Sequence, residues 1–384
     1  MIPYGRHSID EKDIEAVVSV LKSDFLTQGP MVPRFERAVA EKTGAKHGVA
    51  VNSATSALHI ACLALGVGPG DVVWTTPNTF VASANCARYC GAGVDFVDID
   101  SKTWNISVSL LAEKLASAEA AGSLPKVLIP VHFSGQSCDM ASIAGLADKY
   151  GFRIIEDASH AIGATYSDGR VGDCRYSDIA VFSFHPVKII TTGEGGLALT
   201  NDDELAWRMS VLRTHGITRD PDRMDEVDPA PWKYEQRMLG YNYRMIDLEA
   251  ALGLSQLLRL DEVVQRRNAI ARRYDKLLDK LPLIRPTVDP SGLSAFHLYV
   301  VRLPEPDAKR HRRVFENLRR AGIGVNVHYS PVHLQPDFQN LGFGAGMYPE
   351  AEAYGQSALS LPIYPELTHA QQGEVVAALV EVLT

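Results

Sequence analysis

The 384-residue sequence has no run of roughly 18 or more apolar residues, so it offers no segment that would cross a bilayer as a helix. Its opening, MIPYGRHSIDEKD, lacks the apolar core that a secretion signal needs. Neither sign of charge dominates. With 38 basic and 46 acidic residues the net charge is −8, which gives no field that would draw nucleic acid or an anionic membrane. Cysteine is scarce. Cys62, Cys86, Cys90, Cys138 and Cys174 are scattered; Cys86 and Cys90 share a helical spacing, but no second cysteine or histidine pair completes a zinc site, and no metal is expected. The thiols read as reduced packing residues, as in a cytoplasmic protein. A Gly-x-Gly-x-x-Gly turn after the first strand is also missing, which counts against a dinucleotide site. Repeats and low-complexity tracts are absent.

What is present is a chain that can bury a large core, with 46% hydrophobic residues. At roughly 100–200 residues per domain, its length suits two domains. SIDEKDIEAVVSVLKS reads as a helix capped at Ser8. HGVAVNS reads as a buried strand, ATSALHIACLAL as a helix, DVVWTT as a strand, NTFVASANCARYC as a helix and GVDFVDID as a strand. KVLIPVHF and FRIIEDAS are further strands on either side of the helix ASIAGLADKYG. Apolar strands alternating with helices predict an α/β fold with a mostly parallel sheet covered on both faces. The pattern changes after GGLALTND. A charged, Pro-rich stretch, residues 218–235, reads as a long loop of the functional or oligomer-contact kind. One long helix is expected from about Asp247 to Leu281. AFHLYVVRL, the helix HRRVFENLRRAG and a last helix near Ala370 to Leu383 suggest a smaller C-terminal α/β domain. The expected division is 1–250 and 251–384.

Chemistry concentrates around FSFHPVKIITTGEGG, Phe182 to Gly196. Lys188 follows an apolar strand-like run and precedes a Gly-rich turn. An amine enclosed there is either a phosphate contact or a nucleophile. IIEDASH ends an apolar strand with Glu156, Asp157 and His160, and open parallel sheets bind ligands at the carboxyl ends of their strands. NSATSA puts Ser53, Thr55 and Ser56 at a strand-to-helix junction, a good phosphate site. Ser183 adds another hydroxyl. Alone, a Ser-Ala-Thr-Ser run is most often a helix cap, an Asp after a strand a turn residue, and a His a satisfied core group. Together, a phosphate site, a carboxylate for a ring nitrogen and an amine nucleophile describe a pyridoxal 5'-phosphate site.

The sequence resembles the DegT/DnrJ/EryC1/StrS family of sugar aminotransferases. The motifs that carry this span nearly the whole chain: IPYGRHSI, LTQGPMVPRFE, SATSALHIA, EDASHAIGA, FSFHPVKIITTGEGG, GYNYRMIDLEAALGLSQL and NVHYSPVHLQP. TTPNTFVASANCARYCGAGVDFVDID and VHFSGQSCDM are most similar to the family's branch in pseudaminic acid biosynthesis. The resemblance implies a fold-type I, pyridoxal-phosphate-dependent transaminase. Lys188 would be the Schiff-base lysine, Asp157 the partner of the pyridine nitrogen, and His160 a neighbour of the ring. Phe80 would cover the other face, where the family often has Trp or Tyr, so stacking alone is required. Thr55, Ser56 and Ser183 would bind phosphate. Asn242 would reach the phosphate of a neighbouring subunit, so the enzyme would be a homodimer with composite sites. Tyr4, Thr27, Arg244, His328 and Tyr329 would face the nucleotide sugar. L-Glutamate would be the donor and C4 of a UDP-linked 4-keto-6-deoxy-2-acetamido hexose the acceptor. Relatives that carry His in place of the lysine are dehydratases; Lys188 favours transamination.

Other readings share the same motifs. A D-configured, 3-keto or dTDP-linked sugar would use the same cofactor half. A decarboxylase or lyase can be built on the same fold. A non-catalytic nucleotide-sugar binding protein would be expected to have lost the lysine or the aspartate, and both are present.

Overall fold

The computed structural model describes residues 1–383. Seven strands form the central sheet: β1 His47–Val51, β2 Val72–Thr75, β3 Gly93–Phe96, β4 Val127–Ile129, β5 Arg153–Asp157, β6 Ile179–Ser183 and β7 Gly196–Thr200. Their spatial order is β1-β7-β6-β5-β4-β2-β3. All pairings are parallel except those of β7, which is antiparallel to both β1 and β6. The expected mostly parallel α/β sheet is therefore observed.

The helices are α1 Glu11–Leu21, α2 Met31–Thr43, α3 Ala54–Ala64, α4 Ala82–Tyr89, α5 Val108–Ala121, α6 Met140–Tyr150 and α7 Asp203–Leu212, then α8 Asp247–Leu257, α9 Leu260–Leu277, α10 Ala308–Arg320, α11 Pro336–Gln339, α12 Pro349–Gly355 and α13 His369–Leu383. Two small antiparallel two-stranded sheets complete the strands: β8 Ile217–Thr218 with β9 Glu235–Gln236, and β10 Tyr299–Arg302 with β11 Ala358–Leu361. No described helix is long and apolar enough to cross a membrane.

Strand period fixes which side chains meet which layer. Along β6, Ala180 and Phe182 enter the core that contains Phe35 of α2, Leu111 of α5 and Ile143 of α6. Ile179 and Val181 enter the opposite core, with Leu58 of α3, Cys86 of α4 and Met209 of α7. Both faces are dry, which is why the strand reads as a continuous apolar run. A third core belongs to the smaller C-terminal unit and joins Val301, Val314, Leu359 and Leu379. Helix α9 passes between cores. Its Leu260, Val263 and Val264 lie in the first, and its Ile270, Ala271 and Tyr274 in the third.

Several boundaries differ from the sequence reading. Helix α1 is capped by Asp10 rather than Ser8. The Asp10 carboxylate accepts from the Asp13 N–H at 3.0 Å and the Asp13 carboxylate accepts from the Asp10 N–H at 3.1 Å, a reciprocal arrangement that Ser8 cannot match. The Ser8 carbonyl instead accepts from Gln256 Nε2 at 2.8 Å. Helix α4 begins only at Ala82, because residues 78–81 turn into the sheet's carboxyl edge. The single helix expected from Asp247 is two. Leu257 and Leu260 are both buried, so the apolar spacing runs on, but Leu258 is 85% exposed and Arg259 turns back to Asp13 at 2.5 Å. The 218–235 stretch is a loop that β8 and β9 close, with one short 3-10 turn at Pro221–Arg223.

One carboxylate ties distant segments together. Helix α2 starts after Pro30 with no cap of its own. Asp247, fully buried at the start of α8, accepts from the N–H groups of Gly29 at 2.7 Å, Met31 at 2.7 Å and Val32 at 3.3 Å. It satisfies orphan donors of another helix and supports the loop that carries Thr27. Asp247→Ala should cost about 1–3 kcal/mol of stability, while Asp247→Asn, whose amide oxygen still accepts, should cost less. Urea unfolding of the two variants against the parent measures both, and equal, negligible losses would remove the clamp from this role.

Candidate active site

The carboxyl ends of β5 and β6, the start of α3 and the turn before α4 surround one cavity of about 440 Å³. Local chain geometry brings each wall there. Ser53 caps α3 by accepting from the Ser56 N–H at 3.1 Å, which leaves the first N–H groups of the helix pointing outward. The Ser56 hydroxyl is turned inward, to Asn52 Oδ1 at 2.7 Å, whereas Thr55 lines the cavity. β7 presses against this helix start. A Cβ at Gly196 would stand 2.4 Å from the Ala54 nitrogen, so only glycine permits the approach. Ser183, at the end of β6, also lines the cavity.

Asp157 ends β5 and is 5% exposed. Its Oδ2 accepts from the Ser83 hydroxyl at 2.6 Å and its Oδ1 from the Ser159 N–H at 3.1 Å. No basic side chain among the described residues forms an ion pair with it. A buried carboxylate held only by neutral donors calls for a cation. The protonated nitrogen of a pyridine ring supplies one.

Lys188 lies in the connection from β6 to β7, its N–H bonded to the His185 carbonyl at 2.9 Å. Its Nζ makes no hydrogen bond within the described residues. Enclosure by the cavity walls lowers its pKa to about 8, against a smaller opposing pull from Asp157. The residue keeps partial exposure, and that exposure is to the cavity.

His160 is buried. The Tyr329 hydroxyl pairs with its Nε2 at 3.1 Å, and its Nδ1 has no partner. Burial, then the neighbouring Lys188 and His328, push it well below the ordinary histidine range. His328 is lowered to about 4 by burial and by Lys188, and its Nδ1 pairs with the Ser360 hydroxyl at 2.7 Å. Phe80, 58% exposed, presents its ring at the cavity rim, 6.3 Å from the ring of Tyr329.

The cavity thus gathers Thr55, Phe80, Asp157, His160, Ser183 and Lys188, and from the small unit His328 and Tyr329. Ser56 sits behind its wall. Tyr4 adjoins it through a ring contact with His328, centroids 5.4 Å apart. Thr27, Asn242 and Arg244 are elsewhere in the same chain. Thr27 and Asn242 are exposed, and Arg244 borders a separate hollow with Gln28 and Arg213. Sequence reasoning missed Ser83, Asn78 and Asn326. Ser83 follows Phe80 by three residues and shows no signal of its own; only the fold aims it at Asp157. Asn78 is fully buried and its Oδ1 accepts from the Tyr329 N–H at 3.3 Å, while Asn326 lines the cavity. No group of three or more potential ligands that could hold a metal occurs among the described residues.

The donor set fits pyridoxal phosphate: hydroxyls and a helix start for phosphate, an unpaired buried carboxylate for the ring nitrogen, and an amine of lowered basicity. Comparison with known proteins agrees. The family model of DegT/DnrJ/EryC1/StrS aminotransferases matches residues 7–380. The chain is 39% identical over 386 residues to the spore coat polysaccharide biosynthesis protein SpsC of Bacillus subtilis, covering 100% of this chain and 97% of the relative. It is also 39% identical over 368 residues to a UDP-4-amino-4,6-dideoxy-N-acetyl-beta-L-altrosamine transaminase of Campylobacter jejuni, covering 96% and 93%. Among solved structures, the sugar aminotransferase Spr1654 of Streptococcus pneumoniae in its PMP form superposes with a TM-score of 0.91 at 30% identity, covering 100% and 99%. PseC of Helicobacter pylori, an aminotransferase of pseudaminic acid biosynthesis, superposes at 0.90 with 30% identity and the same coverage. The chain belongs to the DegT/DnrJ/EryC1/StrS aminotransferase family and is a sugar aminotransferase whose cofactor is pyridoxal phosphate.

Proposed function

We propose that the enzyme transfers the amino group of L-glutamate to C4 of a UDP-linked 4-keto-6-deoxy-2-acetamido hexose, giving UDP-4-amino-4,6-dideoxy-N-acetyl-β-L-altrosamine. The similarity to the Campylobacter transaminase along 96% of the chain carries this reading. The wall that the small unit adds at His328 and Tyr329 supports it, since the sugar is the substrate that extends beyond the cofactor.

Bound pyridoxal phosphate supplies a carbonyl that takes up the amine and a protonated ring that withdraws electrons from the reacting carbon. The chain's residues do the rest. Thr55, Ser183 and the N–H groups at the start of α3 hold the phosphate. Asp157, itself fixed by Ser83 and Ser159, holds the proton on the ring nitrogen. Phe80, at the cavity rim, would cover one face of the ring, and His160, in the cavity wall, would lie beside it. Lys188 Nζ would take the proton from the donor's α-carbon, hold it and release it again. The second half-reaction uses the same amine in the opposite direction. A lysine of ordinary basicity would be charged and unable to start; one lowered to about 8 is partly neutral near pH 7.

The cofactor side does not distinguish sugars, so turnover decides. With glutamate as donor, a panel of UDP- and dTDP-linked keto sugars should give product with UDP-linked 4-keto-2-acetamido sugars of the L series. Turnover confined to dTDP-linked or 3-keto sugars would overturn the substrate while leaving the family intact.

Borohydride trapping of pyridoxal phosphate on the cofactor-free protein should rise with pH through a midpoint of about 8, and should vanish in Lys188→Arg. A midpoint near the ordinary lysine value of about 10.4 would place the amine in water.

We further propose a homodimer in which Asn242, exposed and away from its own chain's cavity, serves the partner's phosphate. Lys188→Ala and Asn242→Asp, each inactive alone, should regain activity on subunit exchange, because one site of a mixed dimer then carries both defects and the other neither. Verified mixed dimers that stay inactive would exclude the shared site.

A further inference from the structure

His160 belongs to the large unit, three residues beyond the end of β5, yet the groups that fix its ring come from the small unit. Tyr329 pairs with Nε2 at 3.1 Å. The imidazole of His297 lies against it, with centroids 4.4 Å apart and planes inclined by 43°. Phe133, on another side, stands farther off at 6.1 Å.

His297 precedes β10 and is 4% exposed. Its main chain is clamped from two directions. Arg267 of α9, 1% exposed, donates through Nη1 to the carbonyls of Phe296 at 3.1 Å, His297 at 3.3 Å and Ile363 at 3.2 Å. From the large unit, Gly135 at φ +97° fills the gap with backbone alone. A Cβ there would meet the His160 carbonyl at 2.9 Å and the nitrogens of Phe296 and His297 at 2.9 and 3.0 Å. The Gly135 carbonyl accepts from the Ala295 N–H at 3.0 Å. With no side chain between the three backbones, the two imidazoles are pressed together.

We infer that His297 is a positioning residue that holds the His160 imidazole against the cofactor and makes its orientation follow the small unit. This rests on the reading that His160 lies beside the cofactor ring. The contact is one of ring packing. Neither imidazole has a carboxylate partner, and the Nδ1 atoms of both lack any hydrogen bond. The groups that face the pair are Lys188, His328, Arg267 and Tyr329, none of them an anion at neutral pH. Burial drives both histidines well below their ordinary range and the basic neighbours add to it. Two uncharged rings can pack at this distance, whereas two imidazolium ions would repel. A neutral ring of similar shape should therefore serve in place of His297.

The test compares His297→Ala, His297→Phe and His160→Ala as cofactor-loaded full-length enzymes. The readouts are the pH midpoint of the bound cofactor's visible band and kcat. In His297→Ala water enters beside His160 and the protonated nitrogen at Lys188 is penalised less, so the midpoint should rise by more than about half a unit. Loss of orientation should lower kcat roughly 10- to 100-fold, the scale for a misplacement of about 1 Å. His297→Phe should restore both. If the alanine variant does not fold, His297→Gln keeps the bulk without the ring and takes its place. A ring-less variant with parental midpoint and kcat, or one that lowers only the melting temperature, overturns the inference. So does a folded, loaded His297→Phe as defective as the ring-less variant. An unshifted band in His160→Ala would remove His160 from the cofactor and the inference with it. A shifted band there beside an unshifted one in His297→Ala would remove only the inference.

Discussion

A protein that needs an amine partly neutral near pH 7 has to strip it of water without giving it an ion-pair partner. Lys188 meets that constraint, and much of the surrounding structure follows from it. The bases near it, His160, His297 and His328, are buried, and burial together with Lys188 disfavours the protonation of each. Asp157, a buried acid in the cavity wall, accepts from two neutral donors. Asp157 therefore forms no ion pair with Lys188, and its pull on the amine is smaller than the effect of burial. The separation needs rigid support, and a sheet dry on both faces supplies it, with β5 and β6 side by side in parallel register.

The sequence made the local half of this site legible. Asp157 and Ser183 sit at strand ends marked by unbroken apolar runs, Lys188 follows one of them by five residues, and the hydroxyls around Thr55 sit at a strand-to-helix junction. Those signals depend on neighbours only a few residues away. The pyridoxal phosphate reading draws on those local groups and on a mostly parallel sheet, whereas the strand order and the antiparallel β7 are not read from the sequence.

What stayed hidden depends on contacts between distant segments. Ser83 reaches Asp157 across 74 residues of chain. His297 meets His160 only because Gly135 and Arg267 bring two backbones together. The break between α8 and α9 is invisible to periodicity, since Leu257 and Leu260 keep the apolar spacing while Arg259 is drawn aside by Asp13. The sequence reading places the cap of α1 at Ser8, and the reciprocal bond between Asp10 and Asp13 puts it at Asp10 instead. Asn242 and Arg244, at isolated β-bridges, and Thr27, in a bent loop, lie outside the cavity, where composition carries no directional information.

The Asp247 clamp has a consequence for how the chain is made. Helix α2 receives its cap from a residue more than 200 positions downstream, and β1 pairs with β7, the last strand of the sheet to be made. As the chain leaves the ribosome, β1 waits unpaired until about half of the protein has been synthesised, and α2 waits without its cap until nearly two thirds has. Loop closures this long are slow and leave apolar surface open in the interval. The order of synthesis therefore opposes the order of assembly at the amino terminus. The nascent first half is the stage at which this enzyme would most need a chaperone.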